Sequence, residues 1–220
     1  MKCLPLSCVA ILSCLLSSTS SAEASEAMKS RVRDAVNIVQ LKQSSGTPIP
    51  QSVINKARGI AIIEITKGGF GLSGQHGEGV LITKTPDGWS APSAFDSSGG
   101  GIGFQIGVEI RKLVFILNNA DAVNAFAKNE KFKMNAVANA TAGSDNVTEE
   151  ASTINQHSVY VYTVTGGAFA GAAIGGEMMG TNLKVNRLTY GETINTSDII
   201  NGKVPKPTYA AALYQALKLN

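Results

Sequence analysis

Apolar and polar positions change period several times along this chain, and the changes predict its elements. Between residues 26 and 42, Met28, Val32, Ala35, Val36 and Val39 recur at helical spacing and form one stripe. The pattern predicts an amphipathic helix. Lys29, Arg31, Arg33 and Lys42 flank the stripe. Basic residues on the shoulders of an apolar face suit a bilayer surface, where long stems keep the charge in water. A helix packed on its own domain fits the same pattern. Ser44 to Pro50 breaks the chain. Gln51 to Arg58 then reads as a short helix, with Gly59 as its C-terminal stop.

The β-branched run from Ile60 to Ile65 predicts a strand. Phe70 to Ser73 and Gly79 to Thr83 predict two more, with glycine bends between them. Thr85 to Gly88 reads as a turn, in which Pro86 presets φ and Gly88 accepts a positive one. Trp89 to Phe95 predicts an edge strand, because Pro92 cannot donate to a ladder. Ile102 to Leu117 holds two further strands. Ala120 to Lys128 predicts a short helix, Lys131 to Ala140 a strand, and Thr141 to Gln156 a polar loop. Ser158 to Thr165 alternates with period two and predicts a strand. Gly166 to Gly180 reads as strands bent at Gly166 and Gly167. Ser197 to Ile200 is a helical turn. Pro207 to Leu219 predicts a closing helix with Tyr209, Leu213, Ala216 and Leu217 on one face.

Thirteen of the 23 glycines lie between Gly59 and Gly107, among Ile, Val, Phe and Trp, so this stretch is no flexible linker. Glycine in an apolar β-rich run marks bulges, tight bends and close backbone approach. The predicted class is α+β: a strongly curved, glycine-rich, mostly antiparallel sheet or partial barrel with packed N- and C-terminal helices. The predicted organisation is a signal peptide over 1–22, an N-terminal helix and linker over 23–48, and one domain over 49–220.

Residues 1–22 supply that leader: Lys2, an uncharged apolar run from Leu4 to Leu16, and small residues Ser20, Ser21 and Ala22 at the cleavage site. The apolar run is short for a bilayer span. A lipidated leader, built on Ile11 to Cys14, is the alternative. The leader predicts an exported protein, periplasmic or secreted. All three cysteines (Cys3, Cys8, Cys14) lie within it. The mature chain would then have no disulfide, thiolate metal site or cysteine nucleophile. Formal net charge is +3 for the whole chain, and no long Lys/Arg run occurs, which argues against nucleic acid as a partner.

No catalytic constellation is legible. Gly101 to Gly107 superficially matches a dinucleotide fingerprint, but the β-like run Val108 to Leu117 follows where a helix is required. His76 and His157 lie far apart with no carboxylate cluster between them, and His76 reads as a residue of a glycine-rich bend. Gly71 to Gly74 falls one residue short of a nucleophile elbow. Ser158 to Gly176 is uncharged, with Gly167, Gly171 and Gly175 at helix-dimer spacing, but its Gly, Ala and Thr are too weakly apolar for a span. Asn139, Asn146 and Asn195 begin glycosylation acceptors that matter only in a eukaryotic secretory pathway. The residues predict no enzyme, no cofactor and no metal.

The ordered motifs Val53 to Ile62, Lys67 to Phe70, Gly77 to Val80, Pro86 to Ala94, Gly103 to Glu109, Ile116 to Asn118, Ala122 to Phe126, Gly167 to Gly171 and Asp198 to Gly202 resemble the SYLF domain family. The resemblance runs from about Ile49 to Leu217. It implies a non-enzymatic lipid-binding module of eukaryotic actin-patch proteins and exported bacterial relatives. The implied partner is an anionic phospholipid membrane, with phosphoinositide preference and actin binding among eukaryotic members. Lys56, Arg58 and Lys67 occupy matching positions for lipid contact; Lys29, Arg31 and Arg33 add a basic stretch before the matched block. The polar, acidic run from Asn139 to Glu150 stands where eukaryotic members carry a basic turn. An exported member would meet neither cytosolic phosphoinositides nor actin, which favours generic anionic headgroups. The rival expectation is an envelope module that self-associates or binds a protein partner.

Overall fold

A computed structural model describes residues 26–128, 132–134, 146–154 and 157–219. The predicted leader and the Asn139 acceptor lie outside them. Helix α1 spans residues 26–43 and α2 Gln51–Lys56. The strands are β1 (Gly59–Thr85), β2 (Gly88–Trp89), β3 (Ser93–Leu117), β4 (Phe132–Met134), β5 (Asn146–Ile154) and β6 (His157–Thr181). Helix α3 (Ala120–Ala127) separates β3 from β4. Helices α4 (Leu183–Tyr190) and α5 (Thr196–Ile200), a 3-10 turn (Thr208–Ala210) and α6 (Ala211–Ala216) complete the chain. The sheet is antiparallel in every pair, in the order β2-β1-β3-β6-β4. β5 also pairs with β6, in the same register as β4.

The α+β class and the antiparallel sheet agree with the sequence reading, but the breaks expected between strands do not. The predicted pieces of residues 60–83 are one strand of 27 residues. The two strands expected in 102–117 are part of one strand of 25. The bend expected at Gly166 and Gly167 is absent, and β6 runs straight through. His76 lies on β1 opposite Ser98, not in a bend. The glycines mark close backbone approach and a bulge, as expected, but they do so inside continuous, coiling strands and not between separate ones. An added Cβ at Gly77 would lie 2.7 Å from Ile65 Cγ1, and one at Gly79 would collide with Ile62 O. The second half of β1 is thus pressed against its first half. At its ends, Lys84 N donates to Arg58 O at 2.8 Å. The sheet curls until the two ends of β1 meet, and stays open.

Other boundaries moved for local reasons. Ala57, not Gly59, caps α2, and Gly59 opens β1. A side chain at Gly59 would crowd Val123 Cγ2 at 2.9 Å. The expected strand from Trp89 to Phe95 is interrupted over residues 90–92. Asn146–Ile154, read as loop for its polarity, is strand β5, which an antiparallel ladder permits when one face meets water. The closing helix is shorter than its pattern, beginning as a 3-10 turn. Helix α4 was not anticipated; Asn182 caps it by accepting from Val185 N at 3.0 Å.

Two apolar clusters hold the fold. In one, Met28, Val32, Ala35, Ile38 and Val39 of α1 pack with Ile60, Ile62, Val80, Ile82, Val114, Ile116, Leu213 and Leu217. In the other, Ala61, Ile63, Ile65, Phe95, Phe115 and Leu117 pack with Ala122, Val123 and Phe126 of α3. The two sets alternate along β1 and β3, as a sheet buried on both faces requires. Phe126 stacks on Phe95 at 5.4 Å and tilts against Phe115 at 5.3 Å. The apolar stripe of α1 is therefore core, and α1 lies packed on the sheet.

Candidate functional site

The six basic residues singled out from the sequence do not share one surface. Arg31 is buried, with its side chain 4% exposed. Its Nη1 donates to Asp96 Oδ1 at 2.5 Å and Phe95 O at 3.1 Å, and its Nη2 to Glu78 Oε1 at 3.0 Å. Asn182 Nδ2 completes the cluster on Asp96 Oδ2 at 2.7 Å. These contacts lock α1 to the paired residues Glu78 and Asp96. Lys29 and Arg33 are exposed on α1; Lys29 meets Glu26 at 3.3 Å, and Arg33 donates to Ser30 Oγ at 2.8 Å. Lys67 is half-buried on β1, opposite Glu109. Lys29 and Arg33 lie one turn apart on the outer face of α1, but of the six only Lys56 and Arg58 gather further cations.

They do so at the end of the curled sheet where β1 starts and finishes. Lys84 is held there by its backbone bond to Arg58, and its Nζ reaches Asn55 O at 3.4 Å. Lys206 lies 5.8 Å from the Tyr214 ring, and its Nζ would be 3.7 Å from a Cβ on Gly88. Lys218 joins through α6, where Gln51 Nε2 donates to Leu217 O at 3.2 Å. Lys203 is engaged with Asp198 at 3.1 Å, and that hydrogen bond holds the Asp198 carboxyl below its usual range. Asp87, in the turn between β1 and β2, and Asp121, in the first turn of α3 beside Gly59, are acids of the same end. Five cations against two acids make it a basic pole. Lys84, Lys206 and Lys218 were missed because only chain reversal brings them to Lys56.

The opposite end carries the other feature. Phe70 is 80% exposed, Leu72 70%, Ile106 62% and Val108 53%. Phe70 pairs directly with Ile106, Leu72 with Ile102, and Val108 with Gly68. Gly68 to Gln75, Gly99 to Val108 and Ala168 to Gly176 contain no charged residue, and the register aligns them side by side on β1, β3 and β6. These segments carry no charge at any position, so neither face of this end can. The register shifts between Phe70 and Leu72, next to the directly paired Gly69 and Gly107. Gly107 has φ +133°, open to glycine alone at little cost, and a Cβ on Gly69 would collide with Leu72 O. Below this cap lies a charged collar: Lys67 opposite Glu109, Glu64 opposite Lys112 with a 3.7 Å contact, Arg111 3.9 Å from Glu109, and Glu78 opposite Asp96.

An α+β domain distinguished by an apolar cap at one pole and a basic cluster at the other has the surfaces of a binding module. The family described as Ysc84, Las17-binding protein actin regulator, matches residues 98–219. The SH3 domain-containing YSC84-like protein 1 of Homo sapiens is 37% identical over 172 residues, which cover 77% of this chain and 50% of that protein. Protein YSC84 of Saccharomyces cerevisiae is 35% identical over 175 residues, 77% of this chain and 37% of that protein. The chain belongs to the Ysc84 family, also called the SYLF domain family. It spans about half or less of the length of these relatives. The virulence-associated protein VapD of Rhodococcus equi aligns with a TM-score of 0.33 at 14% identity, over 58% of this chain and 99% of that one, a level that carries no argument.

Proposed function

We propose that this domain is a non-enzymatic module that docks on phospholipid bilayers, with the apolar cap as the inserting element. The observation that carries the reading is the cap itself: four large apolar side chains in water on a three-stranded surface without charge. Contiguous exposed apolar area of this kind marks an interaction site. A partner covering one side would leave the other face free to carry charge; a bilayer surrounds the whole end. β3 is laddered on both edges through the cap and β1 and β6 on one edge each, which suits shallow entry at the interface and not deep insertion into hydrocarbon. Among the described residues no helix is long and apolar enough to cross a membrane.

Magnitudes favour the cap over electrostatics. Fully burying one such side chain is worth about 2 kcal/mol. The exposed fractions of the four add up to between two and three whole side chains, or about 5 kcal/mol on full submersion. A cation contributes about 1 kcal/mol only close to an anionic surface and loses that with salt, so the net charge of the basic pole would supply about 3 if the pole met the bilayer and none when the cap does. The collar around the cap adds little, since Glu109 lies 3.9 Å from Arg111 and opposite Lys67, and Glu64 meets Lys112. Anionic headgroups therefore modulate binding and do not drive it. Residues 1–22 would direct the domain out of the cytoplasm, which N-terminal sequencing of the mature protein tests.

Co-sedimentation with neutral and anionic vesicles tests the docking. The wild type is expected to pellet with both, and a Phe70→Ser/Ile106→Ser variant, folded by circular dichroism, with neither. Undiminished pelleting of that variant refutes the cap. A second reading, a module for a protein partner, is favoured by the printed name of a relative, LAS seventeen-binding protein 3 of Saccharomyces cerevisiae, 34% identical over 175 residues. Wild-type protein that ignores both vesicle types would shift the function to that reading.

A further inference from the structure

We infer that the basic pole is a docking surface for an acidic segment of a protein partner, presented to water while the cap faces the bilayer. The inference rests on the docking proposed above. Gly59, at the pole, and Phe70, on the cap, are separated by about 35 Å of strand. Charges in physiological salt are screened beyond about 8 Å. With the cap in lipid, Lys56, Arg58, Lys84 and Lys206 are too far from the headgroups to interact with them.

The fold nonetheless gathers these cations. The Lys84 N to Arg58 O bond fixes two basic residues side by side, and Lys84 Nζ leans across to the carbonyl of Asn55, next to Lys56. Lys56, Arg58, Lys84 and Lys206 are all exposed, and no ion pair is found for any of them among the described residues. Like charges held as neighbours on a sheet destabilise it, and an acidic ligand relieves that repulsion. Charge complementarity selects the occupant: an extended Asp/Glu-rich segment matches a small group of separated cations. Nucleic acid fits less well, because few cations are present and Tyr214, the aromatic beside them, is half-buried under Lys206 instead of open for stacking.

Fluorescence anisotropy with a labelled polyglutamate peptide and the full chain tests the inference. The wild type should bind the peptide more tightly than a polyglutamine control, and binding should weaken as salt rises. A Lys56→Glu/Arg58→Glu/Lys84→Glu/Lys206→Glu variant should lose about tenfold or more while still pelleting with neutral vesicles. Should that variant not fold, Lys84→Gln/Lys206→Gln serves, with a smaller loss expected. Equal binding of both peptides, or retained binding in a folded pole variant, overturns the inference. So does loss of anionic-vesicle binding in the pole variant with the cap variant unaffected, which makes headgroups the occupant, or stronger binding of a single-stranded oligonucleotide than of polyglutamate. The Phe70→Ser/Ile106→Ser variant separates the two claims: it should bind peptide normally and fail only with vesicles.

Discussion

Replacing Arg31 with Met tests whether α1 belongs to the core or to a membrane surface. The substitution keeps the apolar stem and removes the guanidinium that meets Asp96, Glu78 and Phe95 O. Breaking a buried ion pair from one side costs about 3–5 kcal/mol, because the remaining charge is stranded. Two features place this case at the lower end. Glu78 is 56% exposed and recovers water. Asp96 is only 18% exposed but keeps the Asn182 amide. A loss of about 3 kcal/mol follows. At about 2–4 °C per kcal/mol for a domain of this size, the melting temperature should fall by about 6–12 °C. Urea denaturation and thermal melts would measure both, with Asp96→Asn and the double variant closing a thermodynamic cycle. Strong coupling between Arg31 and Asp96, and weaker coupling to Glu78, is expected. A loss below about 1 kcal/mol would refute the buried latch. So would an Arg31→Met protein of wild-type stability that binds vesicles poorly, since Arg31 would then be acting at the lipid.

Other positions test the coil, the cap and the C-terminal tyrosines. Gly79→Ala should destabilise by more than about 3 kcal/mol, since its Cβ collides with the Ile62 carbonyl, whereas Gly74→Ala, with open space around it, should stay within about 1 kcal/mol; paired denaturation curves decide. Phe70→Ser should leave folding stability within about 0.5 kcal/mol of wild type. It should also weaken vesicle binding by about tenfold, since most of the side chain lies in water; a marked fall in melting temperature would show that Phe70 is core. Burial raises the Tyr214 phenol to about 12, and the Tyr190 phenol shifts the same way. The folded state then keeps protons that an unfolded chain releases near pH 10, so this contribution is intact below about pH 10 and is lost as pH rises toward 12. Tyr214→Phe should flatten that decline, and an unchanged slope would contradict the burial.

The period of the apolar positions was enough to determine some of this protein. Met28, Val32, Ala35 and Val39 at helical spacing made α1, and the β-branched run at Ile60 to Ile65 made a strand, because side-chain direction follows from local geometry alone. Ordered motifs of Gly, Pro and Trp were enough to point to the family. Close backbone approach at the glycines was legible in kind, but not which backbone approaches or that the strand continues through. Whether Gly79 ends a strand or lets Ile62 approach depends on a backbone seventeen positions earlier, which no local window contains. The site divides in the same way. Phe70 and Ile106 are visible in sequence as bulky residues among glycines, but the same pattern serves a buried strand. Arg31 and Lys29 are two positions apart and equally basic in sequence. Helical geometry sends one to Asp96 in the interior and the other to solvent. The basic pole and the apolar cap exist only because β1 coils back on itself, and that coil is a property of long-range packing.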